Sequence, residues 1–147
     1  MGHSFAVNRV HIVFSTKERR KQIPEGVQPK LWAFIASIAH SRQIEVKAVG
    51  GTDDHVHLLV AVPAAVSLAK CIQELKAISS KWMRDEGHDF TWQEGYAAFS
   101  VGGSQVDTIV QYIDHQREHH AKHTFESELL TLLEKHGVTY DPKYVLG

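Results

Sequence analysis

The stretch Ile44-Glu45-Val46-Lys47-Ala48-Val49-Gly50-Gly51-Thr52-Asp53-Asp54-His55-Val56-His57-Leu58-Leu59-Val60 decides the fold. Residues 44–49 read as a strand, and Gly50-Gly51-Thr52-Asp53 supplies the flexible backbone of a hairpin turn. Residues 55–62 therefore return antiparallel, until Pro63 stops them. Side chains alternate along a strand, so His55 and His57 project together while Val56 enters the core. Polar groups on an otherwise apolar strand must meet solvent in a cleft or find partners. Two imidazoles at this spacing suit a metal site, although satisfied structural histidines give the same pattern. Asp53 and Asp54 could orient an imidazole as acceptors behind it, with a polar turn as the simpler reading.

Working outward, residues 10–16 alternate as a strand, and Pro24 and Pro29 bracket the start of a helix with the apolar stripe Leu31, Phe34, Ile35, Ile38, Ala39. After the hairpin, Ser67 caps a long helix carrying Leu68, Cys71, Ile72, Leu75, Ile78 and Trp82 at helical spacing, closed by Gly87. Residues 90–92 and 96–101 read as extended, broken at Gln93-Glu94-Gly95. Gly102-Gly103 ends that strand, and Ser104 is expected to cap a helix running to about Lys122. An amphipathic segment, 126–136, and an extended tail, 138–146, follow. The succession β-α-β-β-α-β-α-α opens with the six elements of a split βαβ, ferredoxin-like sandwich. This is an α+β fold with an antiparallel sheet and helices on one face. No internal repeat, low-complexity segment or linker interrupts it, so 1–147 reads as one domain.

Composition narrows the function. With 147 residues, 43% hydrophobic and 22% charged, the chain has the make-up of a soluble globular protein. Its longest apolar stretches, such as 58–66, fall short of a membrane span, and no cleavable signal is evident, so a cytoplasmic protein with no membrane partner is expected. The one cysteine, Cys71, cannot form an internal disulfide and reads as a buried thiol. Lys+Arg 16 against Asp+Glu 17 is not the strongly basic balance of a non-specific nucleic-acid binder. Any DNA contact must then be local, as at Lys17-Glu18-Arg19-Arg20-Lys21, which alone reads equally as a solvated loop.

A second motif, Gln111-Tyr112-Ile113-Asp114-His115-Gln116, lies in the helix expected from Ser104. Residues four apart share a helix face, so Tyr112 and Gln116 project together beside a buried stripe of Val106, Ile109 and Ile113. A nucleophilic tyrosine needs activation, since its free pKa is about 10, and a nearby divalent ion helps by polarising phosphate. The histidines gathered in 115–123 read as phosphate contacts, proton carriers or plain surface.

Taken in order, these motifs resemble the single-tyrosine HUH transposases of bacterial insertion sequences, the insertion-sequence "two hundred" group. The resemblance covers nearly the whole chain. It runs through Ser15-Thr16-Lys17-Glu18-Arg19-Arg20, His55-Val56-His57, Trp92-Gln93-Glu94-Gly95-Tyr96-Ala97-Ala98-Phe99-Ser100-Val101, Tyr112-Ile113-Asp114-His115-Gln116 and His119-His120. It implies a ferredoxin-like catalytic domain with a helix carrying the tyrosine after the sheet. It also implies an obligate homodimer acting on single-stranded DNA with hairpin-bearing element ends. His55, His57 and Gln116 match the ligands of Mg²⁺ or Mn²⁺, and Tyr112 matches the nucleophile that forms a 5′-phosphotyrosine link. Lys17, Arg19, Arg20, His119 and His120 are then expected to touch DNA. In such a dimer the histidines of one chain would pair with the tyrosine of the other. The chain carries no phosphate-cradling glycine motif ending in Lys-Ser or Lys-Thr, in keeping with chemistry that uses no ATP.

Other chemistries fit these residues less well. A histidine-motif nucleotide hydrolase needs a third alternating histidine where Leu59 stands. Relaxases and replication initiators are usually larger. A non-catalytic single-stranded nucleic-acid-binding module, or a degenerate transposase, would use sheet aromatics such as Phe90, Trp92 and Tyr96 for base stacking. It would not need His55, His57, Tyr112 and Gln116 together.

Overall fold

A computed structural model of the chain describes residues 3–145. Strands β1 (Arg9–Ser15), β2 (Glu45–Gly51), β3 (His55–Ala61) and β4 (Ala97–Ser100) form one sheet in the order β2-β3-β1-β4, and each neighbouring pair is antiparallel. With α1 (Gln28–Ser41) between β1 and β2 and α2 (Leu68–Asp85) between β3 and β4, this is the expected split βαβ order. Pro29 sits in the first turn of α1, where its missing N–H breaks no helical bond. The Ser67 hydroxyl accepts from the Lys70 amide at 3.3 Å and so caps α2.

Ile12, Phe14, Val56, Leu58 and Val60 of the sheet pack under Leu31, Ile35, Ile38, Ile72, Leu75 and Cys71 of α1 and α2. Each fully buried aliphatic side chain contributes roughly 1.5–3 kcal/mol. Most of the apolar driving force therefore lies on this face, which leaves the other able to carry polar groups. Phe90 and Trp92 belong to the same core, and Trp92 joins the sheet only through a bridge to Thr16.

The two helices of the first six elements share one face as expected, and the later helices α3 (Val106–Asp114), α4 (Gln116–His120) and α5 (Phe125–Lys135) cover the other. The cause is visible in β3, where all residues from His55 to Val60 are buried, so both faces need a cover. Val13 and Phe99 meet Phe125, Leu129 and Leu133 of α5, while Ala48 and Leu59 meet Ile113 of α3.

The single helix expected to about Lys122 is in fact a 3-10 turn, Gly103–Gln105, followed by α3 and α4 with a break at His115. Ser104 lies inside that turn, and the N-cap of α3 is Gln105, which makes no side-chain capping bond. The tail is not extended throughout. Residues 142–145 form turns against Asp141, and Leu146 lies outside the described residues.

Gly50 fixes where α3 sits, because a Cβ there would lie 2.6 Å from the Ile113 carbonyl oxygen. Its missing side chain lets α3 lie directly on β2, one residue from Tyr112. Among the described residues, no helix is long and apolar enough to cross a membrane.

Candidate active site

β3 presents His55 and His57 to the face covered by the C-terminal helices, and both are fully buried. In the antiparallel register Val13 stands opposite His57 and Ser15 opposite His55, so His11, two residues along β1, shares their face. His11 Nε2 lies 2.8 Å from His57 Nδ1, and the two rings stack at 5.0 Å. His55 donates from Nδ1 to Asp54 at 2.8 Å, and the Thr52 hydroxyl donates to the same carboxylate oxygen at 3.1 Å. Asp54 therefore takes the orienting role weighed for it against a plain turn. His120 donates from Nδ1 to the His123 carbonyl at 2.7 Å.

With three Nδ1 atoms held in this way, three Nε2 atoms converge on one carboxylate. Glu128 Oε1 lies 2.9 Å from His57 Nε2, 3.1 Å from His120 Nε2 and 3.4 Å from His55 Nε2. The ligand atoms of His55, His57, His120 and Glu128 all lie within 4.8 Å of one another, so these residues could hold a metal ion. Gln116 is beside them, its Oε1 3.1 Å from His55 Nε2 and its amide nitrogen donating to the Tyr112 carbonyl at 3.3 Å. The Tyr112 hydroxyl donates to Glu128 Oε2, and its ring meets that of His57 edge-on at 5.6 Å.

Burial and charge set the protonation of this cluster. Burial holds His57 down at about 4 and His11, which also faces His57, at about 3, so both rings are neutral at pH 7. Burial acts on His55 in the same direction, but hydrogen bonds to Asp54 and Glu128 outweigh it and raise its pKa to about 9. Burial likewise opposes the charge on Glu128, yet hydrogen bonds from His120, His55 and His57 keep it far below the usual carboxylate range. Tyr112 is pushed above the ordinary phenol value by burial and by the Glu128 charge. The phenol therefore stays protonated at neutral pH.

Of the residues expected at the site, Tyr112, His55, His57 and Gln116 meet within one chain, and His120 joins them. His119 lies beside the cluster, with Nε2 buried 3.4 Å from Glu128 Oε2 but not hydrogen-bonded. The basic cluster stands apart, in a 3-10 turn (Lys17–Arg19) after β1. Arg19 binds Glu126 of α5 at 2.9 Å, Arg20 binds Glu18 at 2.9 Å, and Lys17 is exposed. An open groove of about 740 Å³ runs past Asp54 and His120, with Lys21, Arg117, Lys122 and His123 also on its walls. Sequence reading missed His11 and Glu128. His11 lies on the same strand face as Val13, and Glu128 shares the buried face of α5 with Phe125, Leu129 and Leu133, so a polar residue on an apolar stripe was the signal for both.

Comparison with known proteins adds a family. The profile described as "Transposase IS200 like" matches residues 5–116. The transposase for insertion sequence element IS200 of Salmonella typhimurium is 25% identical over 117 residues, which is 75% of this chain and 77% of that protein. The corresponding protein of Salmonella typhi gives the same figures of 25%, 75% and 77%. A candidate transposase from Deinococcus radiodurans R1 superposes with a TM-score of 0.63 at 23% identity, over 79% of this chain and 96% of that one. A REP-associated tyrosine transposase bound to a REP hairpin gives a TM-score of 0.61 at 16% identity, over 82% and 74%. These two structures share the fold. The family match ends at Gln116, so His119, His120 and Glu128 lie beyond it.

Proposed function

The chain belongs to the family of IS200-like transposases, and we propose that it cuts and rejoins single-stranded DNA through a covalent link to Tyr112, with a divalent metal ion as cofactor. The observation that carries this reading is the convergence of a phenol, two strand histidines and an amide in one pocket beside a groove. Tyr112 Oη bonds to phosphorus, the bond from phosphorus to the 3′ oxygen breaks, and a free 3′-hydroxyl leaves with the 5′ phosphate on the tyrosine. The hydrogen bond to Glu128 Oε2 orients the hydroxyl, the phenol proton is lost to solvent as the new bond forms, and the leaving 3′ oxygen takes up a proton from solvent. Attack by another 3′-hydroxyl reverses the step. One phosphodiester replaces another, so no nucleotide is consumed.

The donor set fits a divalent ion. His55 and His57 each have Nδ1 hydrogen-bonded elsewhere, which fixes the ring and leaves Nε2 aimed into the pocket next to the Gln116 amide oxygen. These three residues would hold Mn²⁺ or Mg²⁺, whose charge would polarise the scissile phosphate and offset the charge developing on it.

For substrate we propose hairpin-bearing single-stranded DNA, by analogy with the relative bound to a REP hairpin. The groove beside His120 would receive the strand, with Lys21, Arg117, Lys122 and His123 on its walls, and Lys17, Arg19, Arg20 and His119, which do not line it, remain proposed contacts to DNA outside it. For the homodimer we propose, in place of the expected pairing of one chain's histidines with the other's tyrosine, that each chain builds its own site, because Tyr112 lies against His57 of its own chain. A binding-only module does not call for this combination of groups. Incubating the protein with a single-stranded oligonucleotide carrying an element end, with Mn²⁺ or with chelator, tests the reading. Cleavage with the ion and none in chelator is the expected result, and equal cleavage in both contradicts it.

A further inference from the structure

We propose that the segment beyond the family match completes the metal site, with His120 Nε2 and Glu128 Oε1 as direct ligands beside His55 and His57. The assignment rests on the metal-dependent reading of the site. It changes the expected role of His120 from DNA contact to ligand, and it gives α5 a chemical task as well as a structural one.

Three observations carry it. The first is orientation. A neutral imidazole has one N–H, and in His55 and His120 the Nδ1 proton is committed to Asp54 and to the His123 carbonyl. Nε2 is then the atom that each ring turns on Glu128, and a bound cation would take the place of the proton shared there in the metal-free chain. The second is spacing. Two ligands each about 2.1 Å from an ion, at tetrahedral or octahedral angles, lie roughly 3.0–3.4 Å apart. Glu128 Oε1 stands 2.9, 3.1 and 3.4 Å from the three Nε2 atoms, close to that range. The third is burial. The Glu128 side chain is 1% exposed on the apolar stripe of α5, where an ionised carboxylate is costly unless paired or bound to a cation.

With the Gln116 amide oxygen beside them, this donor set is three nitrogens, one carboxylate oxygen and one amide oxygen. It suits Mn²⁺ and its transition-metal neighbours better than Mg²⁺, which prefers oxygen ligands and retained water. The second oxygen of the same carboxylate accepts the Tyr112 hydroxyl, so one side chain joins the ion to the nucleophile.

The test measures binding rather than cleavage. Mn²⁺ affinity of the full chain is taken by calorimetry, and Co²⁺ is added separately as a spectroscopic probe, with circular dichroism confirming the fold. Glu128→Gln keeps size and hydrogen bonding but removes the anionic ligand. His120→Asn keeps a donor for the His123 carbonyl but removes Nε2, and it stands in should the first variant fail to fold. Each is expected to weaken Mn²⁺ binding about tenfold or more and to shift the Co²⁺ visible bands. Wild-type affinity and an unchanged Co²⁺ spectrum in folded variants, with binding lost in His57→Ala, overturn this assignment and leave the histidine site standing. Wild-type affinity in His57→Ala overturns the metal reading itself.

Discussion

The Tyr112 hydroxyl donates its hydrogen bond to Glu128, a carboxylate sixteen residues further on that is buried among histidines. The candidate nucleophile is therefore held by the last helix of the fold while its own helix, α3, is held against β2. Its position depends on two independent packing contacts, and each gives a way to disturb it.

The contact at β2 leaves no room for a side chain at Gly50. Gly50→Ala places a Cβ 2.6 Å from the Ile113 carbonyl oxygen, which cannot yield without moving α3. A loss of about 1–3 kcal/mol is expected, as for other overpacked sites, and DNA cleavage should fall further than stability alone explains. Urea denaturation and a single-turnover cleavage assay check this. A variant of wild-type stability and rate would show that the helix has slack at this point.

The ligands should differ in weight. His57→Ala removes a buried imidazole whose Nε2 faces the site, and cleavage should fall by orders of magnitude. Gln116→Ala removes a neutral amide oxygen and should cost less. Rates measured across a Mn²⁺ titration compare the two, and an equal loss in both would remove the distinction.

Stability in chelator should depend on pH with a definite sign. His55 rises from 6.5 to about 9 in the folded chain, where Asp54 and Glu128 face it across hydrogen bonds and His57 and His120 lie against its ring. Its contribution is complete below the unfolded value of 6.5 and is lost as pH rises through about 9. His57 and His11 are lowered to about 4 and about 3, so they resist protonation and the fold loses stability as pH falls below 6.5. The melting temperature should therefore peak near pH 6.5 and decline on both sides, and His55→Asn should flatten the alkaline limb. A melting temperature that climbs steadily from pH 7 to 9 would contradict the assignment of the His55 proton.

How much of this was legible follows from the kind of signal each part carries. The hairpin and the first six elements could be read because Pro63, Ser67 and Gly87 punctuate runs of clear period, although Gly50-Gly51, expected in the turn, are the last residues of β2 and pair with His57 and Val56. The break at His115 carries no glycine or proline, so α3 and α4 read as one helix. Continuous burial along β3 marks a sheet covered on both sides, but a short apolar run does not show which later helices supply the second cover. His55, His57, Tyr112 and Gln116 were legible from motif spacing, which lies within single elements. Glu128 was not, because a lone carboxylate in an amphipathic helix ordinarily faces water, and only the docking of α5 turns it inward.

Assembly can be tested with two defective chains. If each chain builds its own site, mixing Tyr112→Phe with His57→Ala leaves one lesion in every site and no cleavage. If the tyrosine is exchanged between chains, each mixed dimer holds one intact site and cleavage returns. Subunit exchange is confirmed independently by mass or fluorescence. Recovery of activity would sink the within-chain site.

The most direct measurement is of the covalent link. Wild-type protein and Tyr112→Phe are incubated with a 5′- or 3′-labelled single-stranded oligonucleotide and Mn²⁺, then resolved on a denaturing gel, with the linked peptide identified by mass spectrometry. The substitution removes one oxygen and little volume, so folding and DNA binding should persist. The wild-type chain is predicted to carry the 5′ phosphate on the peptide containing Tyr112, and the variant to form no adduct. An adduct of equal yield in the variant, or one mapped to another residue, would contradict the account.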